Sequence, residues 1–279
     1  MKSFTERHPL AMYFILAIVI TWLILGPGVA STLGFIDFEF DGIVLSTLGQ
    51  FGPLLAALIV TSVTAGNLGV RKIFQSMFNW RVKARWWAAS LLLLAGLFVV
   101  AAALGMLTGG TAPDPGGALF LIGVGLLILI GSFGEEPGWR GFALPKLQQG
   151  RSAWKATLIL SLFWWLWHIP FFFTLPPAIE NAQQFGFIIA FGIQFLIVFA
   201  LGILCAWVYN GSRGSVLMPV LMHTSWNFWL LGFSGQQAAM FALPLFLLAA
   251  IVVGFATKGK LGLATESTNA FGEKETSEV

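Results

Sequence analysis

Hydrophobic positions in this chain fall neither in strict alternation nor as a stripe on one helical face. They form long unbroken runs separated by short polar stretches. Runs long enough to cross a bilayer as a helix, roughly 17 to 25 residues, recur along the chain. They are Leu10–Gly26, Ile43–Val63, Trp86–Leu107, Leu119–Gly134, Trp154–Phe173, Phe185–Tyr209, Ser215–Phe233 and Ala238–Ala256. No repeat period stands out, and no linker is long enough to separate a pair of domains. The pattern predicts an all-α polytopic membrane protein, a bundle of about eight transmembrane helices in one domain over residues 1–257. Residues 258–279, rich in Glu, Thr and Ser, are expected to form a disordered cytoplasmic tail.

Composition supports lipid as the solvent. The chain is 57% hydrophobic and 10% charged, where a soluble domain carries about a quarter charged residues. The basic residues orient the bundle. With both termini in the cytoplasm, the inner segments hold Lys2 and Arg7, then Arg71, Lys72, Arg81, Lys83 and Arg85. They continue with Arg140, Lys146, Arg151 and Lys155, then Arg213, then Lys258, Lys260 and Lys274. That is all 15 Lys and Arg residues of the chain. The outer loops hold Asp37, Glu39, Asp41, Asp114 and Glu180 instead. Basic groups are retained inside during insertion, so an odd number of spans would scramble this division. The expected location is the plasma membrane.

Three lesser features complete the scan. "MKSFTERHP" ahead of an apolar run resembles a signal peptide, with Gly28-Val29-Ala30 as a poor cleavage site. Leu10–Gly26 is nevertheless long enough to stay as a span. Val70–Trp87 mixes bases with aromatics and is expected along the inner membrane interface. The one cysteine, Cys205, lies in an apolar run and reads as a small buried hydrophobe. There is no Walker-type loop and no nucleic-acid signature.

Against this background a few ionisable groups lie where lipid should forbid them: Glu135, Glu136, Arg140, His168 and His223. Such groups are functional candidates by default. If the fourth and fifth spans turn near Gln149–Gly150, Glu135 lies about 22 Å from the turn and His168 about 28 Å. His223 lies about 15 Å beyond the loop at Arg213, and Asn227 about 21 Å. All can converge in the inner half of the bilayer. Glu136 and Arg140 are one helical turn apart and can pair, leaving Glu135 about 100° round the helix to point elsewhere. His223 and Asn227 share a face at the same interval, as do Trp164 and His168. Gly134, Pro137, Gly138 and Gly141 favour a local helix break beside the glutamates.

A carboxylate in a low-dielectric cleft suits general-base work. An imidazole can share its proton, and a His–Asn pair can donate to a developing oxyanion. The same two histidines with Glu135 also form a ligand set that zinc uses in catalysis, and the residues alone leave both routes open. No G-x-S-x-G or H-E-x-x-H occurs, so serine and soluble zinc protease designs fit poorly.

These residues carry a resemblance. "EEPGWRG" (Glu135, Glu136, Arg140) is similar to the E-E-x-x-x-R motif of the CPBP family, the CAAX proteases and bacteriocin-processing enzymes. "WWLWHIP" resembles that family's F-x-x-x-H motif at His168, and "HTSWN" its H-x-x-x-N at His223 and Asn227. The trio occurs in the family's order on separate spans, between about Leu119 and Phe233. One departure is visible: Trp164 stands where the family usually has Phe, with Phe163 adjacent. The resemblance implies an intramembrane endopeptidase with its cavity open to the cytoplasm. It implies that Glu135 activates water with His168, that His223 and Asn227 steady the oxyanion, and that Glu136 with Arg140 gives structural support. The substrate would be a membrane-associated, prenylated or otherwise lipidated peptide or protein. Bacteriocin maturation or self-immunity are further roles in the family. A divalent metal held by Glu135, His168 and His223 and a metal-free glutamate mechanism remain alternatives.

Two other classes compete with a peptidase. A proton- or ion-coupled transporter would use the same groups as a path, but the outer halves of the spans hold only scattered Ser, Thr and Gln. A non-catalytic immunity or scaffold protein would need the polar groups only as interhelical glue.

Overall fold

The structure, a computed structural model, describes residues 2–111, 118–232 and 238–263. Asp114, Phe233 and the expected tail from residue 264 onward, with Lys274, lie outside the described residues. Helices in chain order are α1 (Lys2–Arg7), α2 (Pro9–Thr32), α3 (Gly42–Gly49), α4 (Gly52–Met77), α5 (Ala84–Leu107) and α6 (Ala118–Gly138). They continue as α7 (Leu144–Gln148), α8 (Ala153–Trp167), α9 (Pro176–Phe185), α10 (Phe187–Gly211), α11 (Leu217–Gly232) and α12 (Ala238–Ala256). No strand occurs among the described residues. Each of the eight apolar runs coincides with a helix or with a pair of stacked helices. The chain is an all-α polytopic membrane protein.

Interruptions in the helices follow local chemistry. Asp41 caps α3, its side chain accepting from the backbone N–H groups of Ile43 and Val44. The second span is broken at Gln50–Phe51, and Pro53 opens α4, where its missing N–H costs nothing. Gly66 then leaves helical geometry at φ 61, a left-handed conformation that suits glycine. The basic and aromatic stretch begins just beyond it, at Val70 in the last part of α4. Ser152 caps α8 through the N–H of Lys155, after a turn at Gly150 with φ +80.

α6 carries the glutamates and lies between α4 and α11; α8 packs on α10 and also touches α2. Close approach at α6 depends on glycine. A Cβ on Gly134 would come 2.8 Å from the Gln50 carbonyl oxygen, and one on Gly138 would come 2.5 Å from that of Pro53. Any side chain there would push α6 away from the break between α3 and α4. Thr21 ties the same region together. It donates to the Gly49 carbonyl at 2.8 Å and accepts from the Trp167 indole at 2.7 Å, linking α2, α3 and α8. The described residues also include 258–263. Leu261 is buried and its carbonyl accepts from Asn210 at 3.0 Å.

Candidate active site

Three helices deliver the polar groups, each with a local reason for its geometry. In α6 the expected break at Pro137 does not form. The helix continues through the proline and widens into a π-helical turn at Trp139–Ala143, which absorbs the strain without unwinding. Such turns recur at functional sites. The i, i+4 relation survives: Arg140 Nη1 donates to Glu136 Oε1 at 2.8 Å, and both side chains are fully buried. Glu135 is 3% exposed and takes a different direction, accepting from the Trp164 indole N–H at Oε2, 2.8 Å away.

In α8 the decisive residue is Pro170. Residues preceding a proline are disfavoured in helical geometry, and α8 ends at Trp167, giving way to a 3-10 turn over Ile169–Phe173. His168 is therefore a helix cap rather than a mid-span residue. Its backbone N–H goes to the Trp165 carbonyl at 3.0 Å, one position tighter than an α-helix. The Trp164 carbonyl is thereby left for the His168 side chain, whose Nδ1 lies 2.7 Å from it. A carbonyl only accepts, so Nδ1 carries the hydrogen, and in the neutral ring Nε2 is left as the basic nitrogen.

In α11, His223 Nδ1 lies 2.9 Å from Glu136 Oε1. The carboxylate again dictates a hydrogen on Nδ1 and turns Nε2 outward. Asn227 follows one turn later, half-buried on the same helical face. Thr224 donates to Ser132 at 3.1 Å, joining α11 to α6 beside the site.

Trp164 sits at the middle of this arrangement. Its ring centroid is 5.3 Å from that of His223 and 5.9 Å from that of His168. The Arg140 guanidinium carbon lies 4.2 Å over its ring, within cation–π range. Phe163, the neighbouring aromatic, faces the other way and stacks on Phe14 of α2 at 4.0 Å. The structure thus brings Glu135, Glu136, Arg140, His168 and His223 around one indole, with Asn227 a turn further along α11. Two relationships escaped sequence reasoning. Glu136 serves His223 as well as Arg140, and Trp164 binds both a glutamate and a histidine. The tryptophan at i−4 from His168 was the available signal; nothing in the spacing betrays the long-range Glu136–His223 bond.

The ion pair has more polar capacity than the protein uses. Tyr13 Oη, Trp139 Nε1, Arg140 Nε and Nη2, and Glu136 Oε2 are buried with no hydrogen-bond partner among the described residues. A metal ligand set is not assembled among the described residues: no three His, Cys, Asp or Glu side chains there are grouped as a metal ion requires. Both histidines have Nδ1 engaged on protein oxygens, which fixes each ring and leaves Nε2 as the nitrogen available to a proton or an ion.

A buried carboxylate, two oriented imidazoles and a supporting ion pair inside an apolar helical bundle define an intramembrane protease. Residues 116–229, which include all three polar clusters, match the family described as Type II CAAX prenyl endopeptidase Rce1-like. The chain is 24% identical to the CAAX prenyl protease 2 of Methanococcus maripaludis, over 87% of this chain and 92% of that protein. The ordered motifs, this match and the likeness over most of the chain support a CPBP family protease. Ion-coupled transport and a non-catalytic scaffold give way to peptide-bond hydrolysis.

Proposed function

We propose that this protease removes a C-terminal peptide from a prenylated, membrane-anchored protein, using Glu135 to activate the hydrolytic water. The observation that carries the reading is the convergence of Glu135, His168 and His223 from α6, α8 and α11 on the Trp164 ring. Likeness to a protein named for CAAX prenyl substrates supports the substrate class, and a lipid tail held in the bilayer explains why the site is buried there.

Glu135 takes a proton from water as the oxygen attacks the scissile carbonyl carbon. The resulting oxyanion receives hydrogen bonds from the Asn227 amide and from His223. For His223 this needs a hydrogen on Nε2 in addition to the one on Nδ1, hence the imidazolium form. The proton on Glu135, shared with the basic Nε2 of His168, passes to the leaving nitrogen as the C–N bond breaks. A carboxylate and a free amine result, so the atoms balance without a metal. Glu136 and Arg140 hold His223 in place. The basic connections around Arg151 and Arg213 support a site reached from the cytoplasm.

The test is cleavage of a synthetic farnesylated peptide ending in a CAAX-type sequence, with its unprenylated counterpart, by purified protein in liposomes. Glu135→Ala should lower kcat by about 10²–10⁴ while the protein remains folded, and the unprenylated peptide should be a poor substrate. Wild-type cleavage rates in Glu135→Ala would overturn the reading.

A further inference from the structure

We propose that Trp164 is a positioning residue for this reaction, its indole N–H fixing the Glu135 carboxylate against the hydrolytic water. The inference rests on the reading of Glu135 as general base. It is argued from this chain's own geometry at a position where the motif it resembles carries phenylalanine, a ring with no hydrogen to donate.

Glu135 is 3% exposed in an apolar bundle, so its orientation cannot be left to solvent. The hydrogen bond recorded for its side chain is the one from Trp164 Nε1 to Oε2, at 2.8 Å. That bond commits one carboxylate oxygen to α8, leaving Oε1 as the oxygen for the water's proton. A donor to an ionised carboxylate is among the stronger hydrogen bonds available, and a planar indole locked in a packed bundle brings it to a fixed point. Three further contacts lock the indole. The Arg140 guanidinium lies over its ring, the His223 ring meets it at 78°, and the Trp139 ring centroid is 6.4 Å away. The residue's backbone completes the arrangement by accepting from His168 Nδ1. One residue therefore sets the direction of the base through its side chain and the tautomer of its proton partner through its carbonyl. Displacing the indole should loosen Glu135 and leave His168, which is held by the main chain, in place.

The experiment compares wild type with Trp164→Phe and with a variant carrying benzothienylalanine at position 164. The latter keeps the bicyclic shape and replaces only the N–H by sulfur. Both are assayed on the farnesylated peptide for kcat and KM, with unfolding temperature as the control for packing. Loss of one hydrogen bond to a charged group predicts a kcat lower by roughly 10- to 100-fold in both variants. KM should stay within about twofold, and the benzothienyl variant should unfold within a few degrees of wild type. If the benzothienyl variant turns over at the wild-type rate, Trp164 acts by shape alone and the proposal is overturned, whatever Trp164→Phe does. Glu135→Ala runs alongside. Should it cleave like wild type, the reading of Glu135 fails and takes this proposal with it; should it be inactive, the two Trp164 variants decide the proposal on their own.

Discussion

Glu136 and His223, 87 residues apart in the chain, are joined by a 2.9 Å hydrogen bond from imidazole Nδ1 to carboxylate Oε1. The same oxygen holds Arg140 at 2.8 Å. A single buried acceptor thus aligns α11 against α6 and neutralises a guanidinium that has no access to water. Removing one partner from a buried ion pair typically destabilises by about 3–5 kcal/mol, because the other charge stays buried and unpaired. Glu136→Ala should therefore unfold well below wild type in detergent, or fail to accumulate. Glu136→Gln keeps an acceptor for the imidazole and should retain the fold with lowered kcat. An alanine variant as heat-resistant as wild type would contradict the role given to this carboxylate.

Asn227 offers a cleaner separation of catalysis from folding. It is half-buried, one turn beyond His223, and its amide needs no proton uptake to donate to an oxyanion. Loss of one oxyanion donor costs about 10²–10³ in kcat. Asn227→Ala should show that loss with KM and unfolding temperature close to wild type. A change confined to KM would point to substrate binding instead.

The arrangement of donors bears on metal dependence. No three-ligand group of His, Cys, Asp or Glu forms among the described residues. Prolonged treatment with a strong chelator, followed by assay in metal-free buffer, should leave the cleavage rate within about twofold of untreated enzyme, where a catalytic metal would be worth several kcal/mol of barrier. Loss of activity restored by added zinc would show that the ligands regroup around an ion.

Much of this was legible in the sequence because lipid allows so few solutions. Uninterrupted apolar runs must be helices, since an unsatisfied backbone group in hydrocarbon is too costly. The polar residues stranded inside them then have few partners to choose from. The Glu136–Arg140 pair followed from spacing alone. What stayed hidden was set by tertiary geometry. Only the folded chain shows that the 3-10 turn at Pro170 frees the Trp164 carbonyl for His168. Near the glutamates, glycine and proline suggested a break, whereas a π-helical turn accommodates them with the helix intact. Trp164 showed only as a departure from phenylalanine, because its N–H acquires meaning only when α6 is placed opposite.

Gly138 tests how tightly that placement is held. Its Cα faces the Pro53 carbonyl and the Tyr13 hydroxyl, which an added Cβ would meet at 2.5 and 2.7 Å. The first neighbour is backbone and cannot rotate away. Gly138→Ala should lower the unfolding temperature, since overpacking of this kind costs about 1–3 kcal/mol. Residual activity should fall too, because Glu135 and Glu136 ride on the helix that must shift. Full stability in this variant would mean that α6 and α4 are less closely packed than the structure describes.

The side from which substrate enters can be fixed by labelling, because the one native thiol is silent. Cys205 is completely buried and should not react with a membrane-impermeant maleimide. A new cysteine then reports its own side alone. Along the bundle, acidic and basic connections alternate: Asp37, Glu39 and Asp41 lie between α2 and α3, whereas Arg81, Arg151 and Arg213 lie in the connections after α4, α7 and α10. Positive connections stay in the cytoplasm, so Asp37→Cys should label in intact cells and Arg151→Cys only after permeabilisation. Both positions are exposed, so failure to label reports sidedness rather than burial. The reverse pattern would turn the bundle over, moving Arg140 and the two glutamates to the outer half. A protease with that orientation could not act on a substrate anchored in the inner leaflet, and the prenylated-peptide reading would fall even if Glu135 proved essential.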